Sequence, residues 1–343
     1  MNKPLTKPLT KALVFAVAGA GSWGTALAIQ LARAGQQVRL WGRDSSHIEE
    51  IRASGRNQRF LPGVDLPENL VAVPSLETAL EGIDHLLIAA PSHGFGSVLA
   101  QSIKYLDVSR GLAWASKGFE PGSARLLHEV ARDMLPADTP LALVTGPSFA
   151  MEVARNMPTA VTVAGTDPQF TRRFAAALHH GAFRTYTSDD LVGAELGGAV
   201  KNVLAVATGI ADGMGLGDNA RAALVTRGLV EMMRLGAAMG AQKETLVGLA
   251  GMGDLVLTCT GDQSRNRRFG LALGRGDNAE KALSEIGQVV EGINTAEEVH
   301  RQAHQHKVEM PISEVVYSII HKGLAPEKGL KMLLSREPKA ESI

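Results

Sequence analysis

The stretch that most constrains the fold is "FAVAGAGSWGTALA", residues 15 to 28, where a short apolar run meets Gly19, Gly21 and Gly24 at G-x-G-x-x-G spacing. It opens two incompatible readings. Behind the lysines of "MNKPLTKPLTK" it has the apolar core and small residues of an export signal, and it also has the form of a strand entering a helix through a phosphate-binding turn. The downstream residues decide between them. "TALAIQLARAG" sets Leu27, Leu31 and Ala34 on one helical face and stops at Gly35, and "QQVRLW" follows as a second strand. Cleavage after Ala20 would delete the first strand and Gly19 from this βαβ unit. The glycines are therefore expected to give a tight turn, close approach of a pyrophosphate and close helix packing.

The alternation continues with candidate strands at 70–73, 85–90, 111–115, 141–145, 159–164 and 183–187, and helical stretches at 75–81, 122–134 and 168–179. This order predicts an α/β, largely parallel, doubly wound sheet of Rossmann type. From about residue 190 β-branched runs thin out, beginning with "LVGAELGGAVKNVLAVATGIADGMG", and 218–240, 262–274, 291–306 and 311–322 read as helices. A helix so rich in glycine calls for close packing or a close ligand. The expected organisation is a flexible tail at 1–12, a dinucleotide-binding domain at 13–190 and an all-α substrate and catalytic domain at 191–343.

Composition excludes several partners. Lys plus Arg and Asp plus Glu are both 35, so no basic excess points to nucleic acid. No apolar stretch reads as a bilayer span of roughly 20 residues. The one cysteine, Cys259, cannot form an internal disulfide and reads as a small buried residue in a reducing, cytoplasmic setting.

The turns "GAGSWG", "GRD", "PSHGFG", "SKGFEPG" and "GPSFA" follow successive strands, so they should share the ligand-binding edge of the sheet. Arg43, just past Trp41 and Gly42, either binds a 2′-phosphate or is a solvated turn residue, which leaves NADP and NAD both open. Lys201 sits among Gly197, Gly198, Ala199, Val200 and Val203. It is either a poorly hydrated ammonium of lowered pKa, able to exchange a proton with a carbonyl or alcohol, or a lysine snorkelling from a helix edge. Lys117 puts a cation on the cofactor edge. Asp254, in "AGMGDL", either balances a catalytic lysine or caps a helix.

In "GDQSRNRRFG" a helix starting near Ser264, with Arg265, would suit a phosphate. A solvated helix start is the alternative, and Arg267 and Arg268 are expected on that surface. Glu297, His300 and His304 have metal-ligand spacing, but the polar "EEVHRQAHQHK" reads as a solvated face. Ser148 lacks a nucleophile elbow and reads as substrate-binding.

Together "GAGSWGTALA", "PSH", "SKG", "GPSFA", "GGAVKN", "GLAGMGDLVLTCT", "SRNRRFG" and "GQVVEG" closely resemble the bacterial NAD(P)-dependent glycerol-3-phosphate dehydrogenases, in order over roughly residues 13 to 325. The resemblance implies a 6-phosphogluconate dehydrogenase-like pair of domains and reversible reduction of dihydroxyacetone phosphate to sn-glycerol 3-phosphate for phospholipid synthesis. It implies no metal, no nucleic acid and no membrane insertion, and a homodimer is compatible with it. Carried over to this chain, it makes Ser22, Trp23, Arg43, Ala150, Val289 and Glu291 cofactor contacts, with Lys117 and Arg265 touching both cofactor and substrate. Gly146, Ser148, Asp254, Ser264 and Asn266 become substrate contacts, and Lys201 the proton donor and acceptor. A related 6-phosphogluconate or 3-hydroxyacid dehydrogenase shares the two-domain plan, and a non-catalytic dinucleotide sensor would account for the glycine turn alone.

Overall fold

The computed structural model describes residues 12–337, so the "KPLT" repeat, and all but the last residue of the expected tail, lie outside the described residues. Two compact units divide the chain: residues up to Lys117 together with Leu127–Leu191, and Gly118–Leu126 together with the residues from Val192 onward.

The first unit is built on one eight-stranded sheet, β1 (Val14–Ala18), β2 (Gln37–Trp41), β3 (Leu70–Ala72), β4 (His85–Ile88), β5 (Leu112–Trp114), β6 (Leu141–Thr145), β7 (Thr159–Gly165) and β8 (Phe183–Ser188). The spatial order is β3-β2-β1-β4-β5-β6-β7-β8. Every pairing is parallel except β6 with β7. The central β1 lies between β2 and β4. Its Phe15 and Val17 are fully buried, which is why the run shows no polar alternation. The order reverses direction between β1 and β4, so the turn after β1 opens at the switch point of the sheet.

That turn feeds the helix Ser22–Arg33, in which every residue from Gly24 to Ala32 is buried. Chain reversal past its end uses Gly35 at φ +86°, a left-handed conformation that costs glycine little. The helical stretch expected over 122–134 begins only at Leu127. Pro121, Gly122 (φ +85°) and Ala124 (φ +58°) cannot continue a right-handed helix.

The displaced segment Gly118–Leu126 groups with the second unit. There the Gly122 N–H donates to Glu298 Oε1 at 2.7 Å, and Gln302 Nε2 donates to the Ala124 carbonyl at 2.6 Å. The rest of this unit is helical, with Leu191–Gly213 as its apolar centre and Gly217–Met239, Arg265–Gly274, Glu291–His306 and Pro311–Lys322 among the helices around it. The glycines of the central helix are a packing device. A Cβ on Gly209 would lie 2.1 Å from the Arg267 carbonyl oxygen, and one on Gly270 would lie 2.1 Å from that of Val206, so two helices meet backbone to backbone.

The helix Leu191–Gly213 corrects one sequence-based expectation, because by length and composition it is apolar enough to cross a membrane. In the protein 94% of its most apolar window is buried. Cys259 is fully buried, and burial pushes its thiol up to about 12, so it stays protonated and packs as an apolar group.

Candidate active site

In the first unit the three glycines of the turn do different things. Gly19 has φ +138°, and an added Cβ would sit 2.5 Å from the Ala89 carbonyl oxygen. A Cβ on Gly24 would lie 1.9 Å from the Gly19 oxygen, whereas one on Gly21 would meet nothing within 4 Å. Protein therefore closes the first and third positions and leaves the middle one facing open space. The Gly19 N–H is tied to the Trp41 carbonyl at 2.7 Å, and no side chain caps the helix that starts at Ser22.

Uncapped first-turn amides beside a bare backbone make a cradle for an anionic diphosphate, so these residues fit a dinucleotide. Trp23 sits at the same helix start with its Nε1 buried and without a hydrogen-bond partner in the protein. Arg43 is exposed past the end of β2. Next to it Asp44 accepts from the His47 N–H at 3.1 Å and pairs with Arg59 at 3.2 Å. A hydrogen bond from the Ser46 hydroxyl, then the His47 amide and the Arg59 charge, hold the Asp44 carboxyl below its ordinary value.

At the carboxyl ends of β5 and β6, on the same edge of the sheet as the glycine turn, Lys117, Gly146 and Ser148 come together. Lys117 Nζ donates to the Gly146 carbonyl at 3.2 Å and Ser148 Oγ donates to it at 2.9 Å. Gly146 holds φ +127°, a conformation that favours glycine. Ala150 opens the short helix that follows.

In the second unit Lys201 is 7% exposed and Asp254 1%, which rules out the snorkelling alternative. Lys201 Nζ donates to Asp254 Oδ1 at 2.7 Å and to Thr258 Oγ1 at 3.0 Å. A π-helical turn, Leu249–Gly253, delivers Asp254 to the first position of the helix Asp254–Thr260. The Thr258 hydroxyl donates back to the Asp254 carbonyl oxygen at 2.6 Å. A buried ammonium thus faces a buried carboxylate and a hydroxyl, which balances its charge and fixes the direction of its protons.

Beside this pair Asn266 Nδ2 donates to Asn202 Oδ1 at 2.9 Å, and Asn266 Oδ1 accepts from the Gly292 N–H at 2.9 Å. Asn202 Nδ2 reaches Glu291 Oε2 at 3.4 Å. Ser264 caps the helix Arg265–Gly274 through the Arg267 N–H, with Arg265 exposed on its first turn and Val289 exposed nearby in sequence.

Arg267 overturns its sequence reading. Instead of lying on the surface with Arg268, it is 8% exposed and pairs with Asp212 at 2.7 Å and Asp262 at 2.8 Å. A guanidinium on the face packed against the glycine-rich helix has to be paired to be buried.

The Glu297, His300, His304 pattern also resolves differently. Glu297 pairs with Arg301 at 2.6 Å, while His300 Nδ1 contacts Glu314 Oε2 at 2.5 Å and its ring stacks on Tyr317 at 3.9 Å. The ligand atoms of His300, His304 and Glu314 lie within 4.8 Å of one another. Sequence reasoning missed Thr258 and Asn202. Thr258 stands one helical turn after Asp254, a spacing that put both on one face, and Asn202 adjoins the lysine itself.

The two halves of the chain match two families. Residues 14–171 match the NAD-dependent glycerol-3-phosphate dehydrogenase N-terminus, and residues 190–331 match the C-terminus of the same enzyme. The chain belongs to the NAD-dependent glycerol-3-phosphate dehydrogenase family.

Among similar proteins, the glycerol-3-phosphate dehydrogenase [NAD(P)+] of Stenotrophomonas maltophilia (strain R551-3) is 59% identical over 95% of this chain and 96% of its own length. The Xanthomonas campestris pv. campestris (strain B100) protein of that name is 58% identical over the same shares. The crystal structure of glycerol-3-phosphate dehydrogenase from Coxiella burnetii superposes with a TM-score of 0.92 at 49% identity, covering 95% of this chain and 99% of that one. Glycerol-3-phosphate dehydrogenases thus share this succession of a largely parallel sheet and an all-helical second part.

Proposed function

We propose that this chain reduces dihydroxyacetone phosphate to sn-glycerol 3-phosphate, reversibly and with NADPH or NADH, in the cytoplasm, where the product feeds phospholipid synthesis. The observation that carries the reading is the buried Lys201–Asp254 pair at 2.7 Å, inside a chain whose family is defined by this reaction.

When bound, the reduced nicotinamide supplies the hydride taken up by the carbonyl carbon. Lys201 Nζ gives a proton to the carbonyl oxygen and takes it back in the reverse direction. Asp254 balances the ammonium and, with Thr258, keeps it aimed. Ser264, Arg265 and Asn266 hold the substrate, with the guanidinium and the amides of a capped helix start suited to its phosphate. Lys117, Gly146 and Ser148 orient the substrate.

For the cofactor, Gly19, Gly21, Ser22, Trp23 and Gly24 take the pyrophosphate side. Ala150, Val289 and Glu291 add contacts, as do Lys117 and Arg265, and Arg43 reads a 2′-phosphate where one is present. A homodimer completes the proposal.

A substrate panel tests it. Purified protein should oxidise NADPH rapidly with dihydroxyacetone phosphate and only marginally with 3-oxoacids or the oxidised partner of 6-phosphogluconate. Comparable rates with any of those would overturn the substrate assignment, and NADPH binding without oxidation on any of them would identify a sensor.

A further inference from the structure

The glycine turn is held from behind by a polar network that none of these roles uses. Asn57, fully buried, lies in the loop after the helix Ser45–Ser54. Its Nδ2 donates to the Ala20 carbonyl at 2.9 Å and to Thr25 Oγ1 at 2.8 Å. Its Oδ1 contacts His47 Nε2 at 2.9 Å and accepts from the Phe60 N–H at 3.3 Å. A side-chain amide has two N–H groups and two lone pairs, and four partners use all of them.

The partners also fix its orientation. The Ala20 carbonyl can only accept, so the nitrogen of Asn57 faces the turn and the oxygen faces His47. His47, 6% exposed, must therefore carry its proton on Nε2.

Ala20 is the residue between Gly19 and Gly21, and no peptide bond among the described residues is cis. In a trans peptide the C=O and the following N–H point in opposite directions. Anchoring the Ala20 oxygen on Asn57 therefore turns the Gly21 N–H to the other side of the turn, at the one of its three glycines whose Cβ would meet only open space. Thr25 brings the start of the helix under the same amide. The network continues outward through the main chain, since the backbone N–H of His47 donates to Asp44 Oδ1 at 3.1 Å, one residue past Arg43.

We propose that Asn57 and His47 form a positioning pair that presets the glycine turn for the pyrophosphate of the dinucleotide and links it to the ribose end at Arg43. The inference rests on the glycine turn holding the cofactor. Without the amide, the Ala20–Gly21 peptide is free to rotate, and ordering it becomes a cost of cofactor binding.

The test is NADPH binding, followed by fluorescence titration without substrate, in folded Asn57→Ala, His47→Gln, His47→Phe and Gly21→Val. Asn57→Ala should raise the NADPH Kd about tenfold, with kcat at saturating NADPH and the KM for dihydroxyacetone phosphate within roughly twofold. His47→Gln, which still offers an N–H, should bind like the wild type, and His47→Phe should weaken binding about fivefold. A purely structural role would lower the melting temperature and leave the Kd of the folded protein unchanged, which overturns the proposal.

Loss of binding in Gly21→Val with normal binding in Asn57→Ala also overturns it and leaves the turn assignment standing. Normal binding in Gly21→Val removes the turn assignment and the proposal with it. Should Asn57→Ala fail to fold, the contrast between His47→Gln and His47→Phe decides: a Kd for the Phe variant within roughly twofold of the Gln variant rejects the pair.

Discussion

The glycine turn of the sheet unit and the Lys201 pocket of the helical unit are made in opposite ways. At Gly21 the protein leaves space, because an added Cβ meets nothing within 4 Å, and offers bare backbone dipoles. At Lys201 it fills space, burying an ammonium at 7% exposure against a carboxylate at 1%. The first arrangement recognises charge without containing any, so its weak point is added volume. The second is a desolvated ion pair, stable only while both members are present, so its weak point is a change of charge at constant volume.

The sharpest break of the volume side is Gly24→Ala. A methyl group 1.9 Å from the Gly19 oxygen forces the turn and helix apart, so NADPH titration should show no saturable binding, and urea unfolding should show a loss of at least ~3 kcal/mol. Its counterpart on the charge side is Asp254→Asn, nearly isosteric with Asp254. It should lower kcat about 100-fold while the NADPH Kd stays within about twofold. A fall in cofactor affinity as large as the fall in kcat would erase the distinction between the two sites.

Acid should separate the two units themselves. Burial pushes His85 in the sheet unit down to about 4 from 6.5. A depressed folded value means stability present above pH 6.5 and lost as the pH falls towards 4, a share of roughly 3 kcal/mol. Burial pushes Glu231 in the helical unit up to about 6 from 4.5. Its share, roughly 2 kcal/mol, is fully present below pH 4.5 and lost as the pH rises through 6. Hydrogen exchange at pH 5 and pH 7, corrected for intrinsic rates, should show acid loosening the sheet unit relative to the helical one, and His85→Phe should remove most of the difference.

The smallest effect is expected at the ribose end. Arg43→Ala should raise the KM for NADPH about tenfold and leave that for NADH unchanged. Equal changes with both cofactors would make Arg43 a general surface residue.

The same contrast explains what was legible in the sequence. A turn built from absent side chains is local, and the spacing of Gly19, Gly21 and Gly24 between two strands displays it directly. The sheet was legible for a related reason, since most of its strands, such as Val14–Ala18 and Leu141–Thr145, are short apolar runs bounded by turns. The charged site depends on partners far apart in the chain. Lys201 and Asp254 each stood out, but nothing local records that they meet across 53 positions.

Arg267 was misread for the same reason. It sits in a basic run that resembles a solvated helix start, and the residue that lets it be buried, Asp212, lies 55 positions away. The segment Gly118–Leu126 was misplaced because its contacts are to Glu298 and Gln302, more than 170 positions away.

The central claim is that Lys201 moves the proton and does nothing for the cofactor, and one variant tests it most directly. In Lys201→Ala, NADPH should bind with wild-type affinity by fluorescence titration, while its oxidation by dihydroxyacetone phosphate falls by at least ~1,000-fold. Turnover within about tenfold of the wild type, with the variant folded and NADPH bound, would contradict the account.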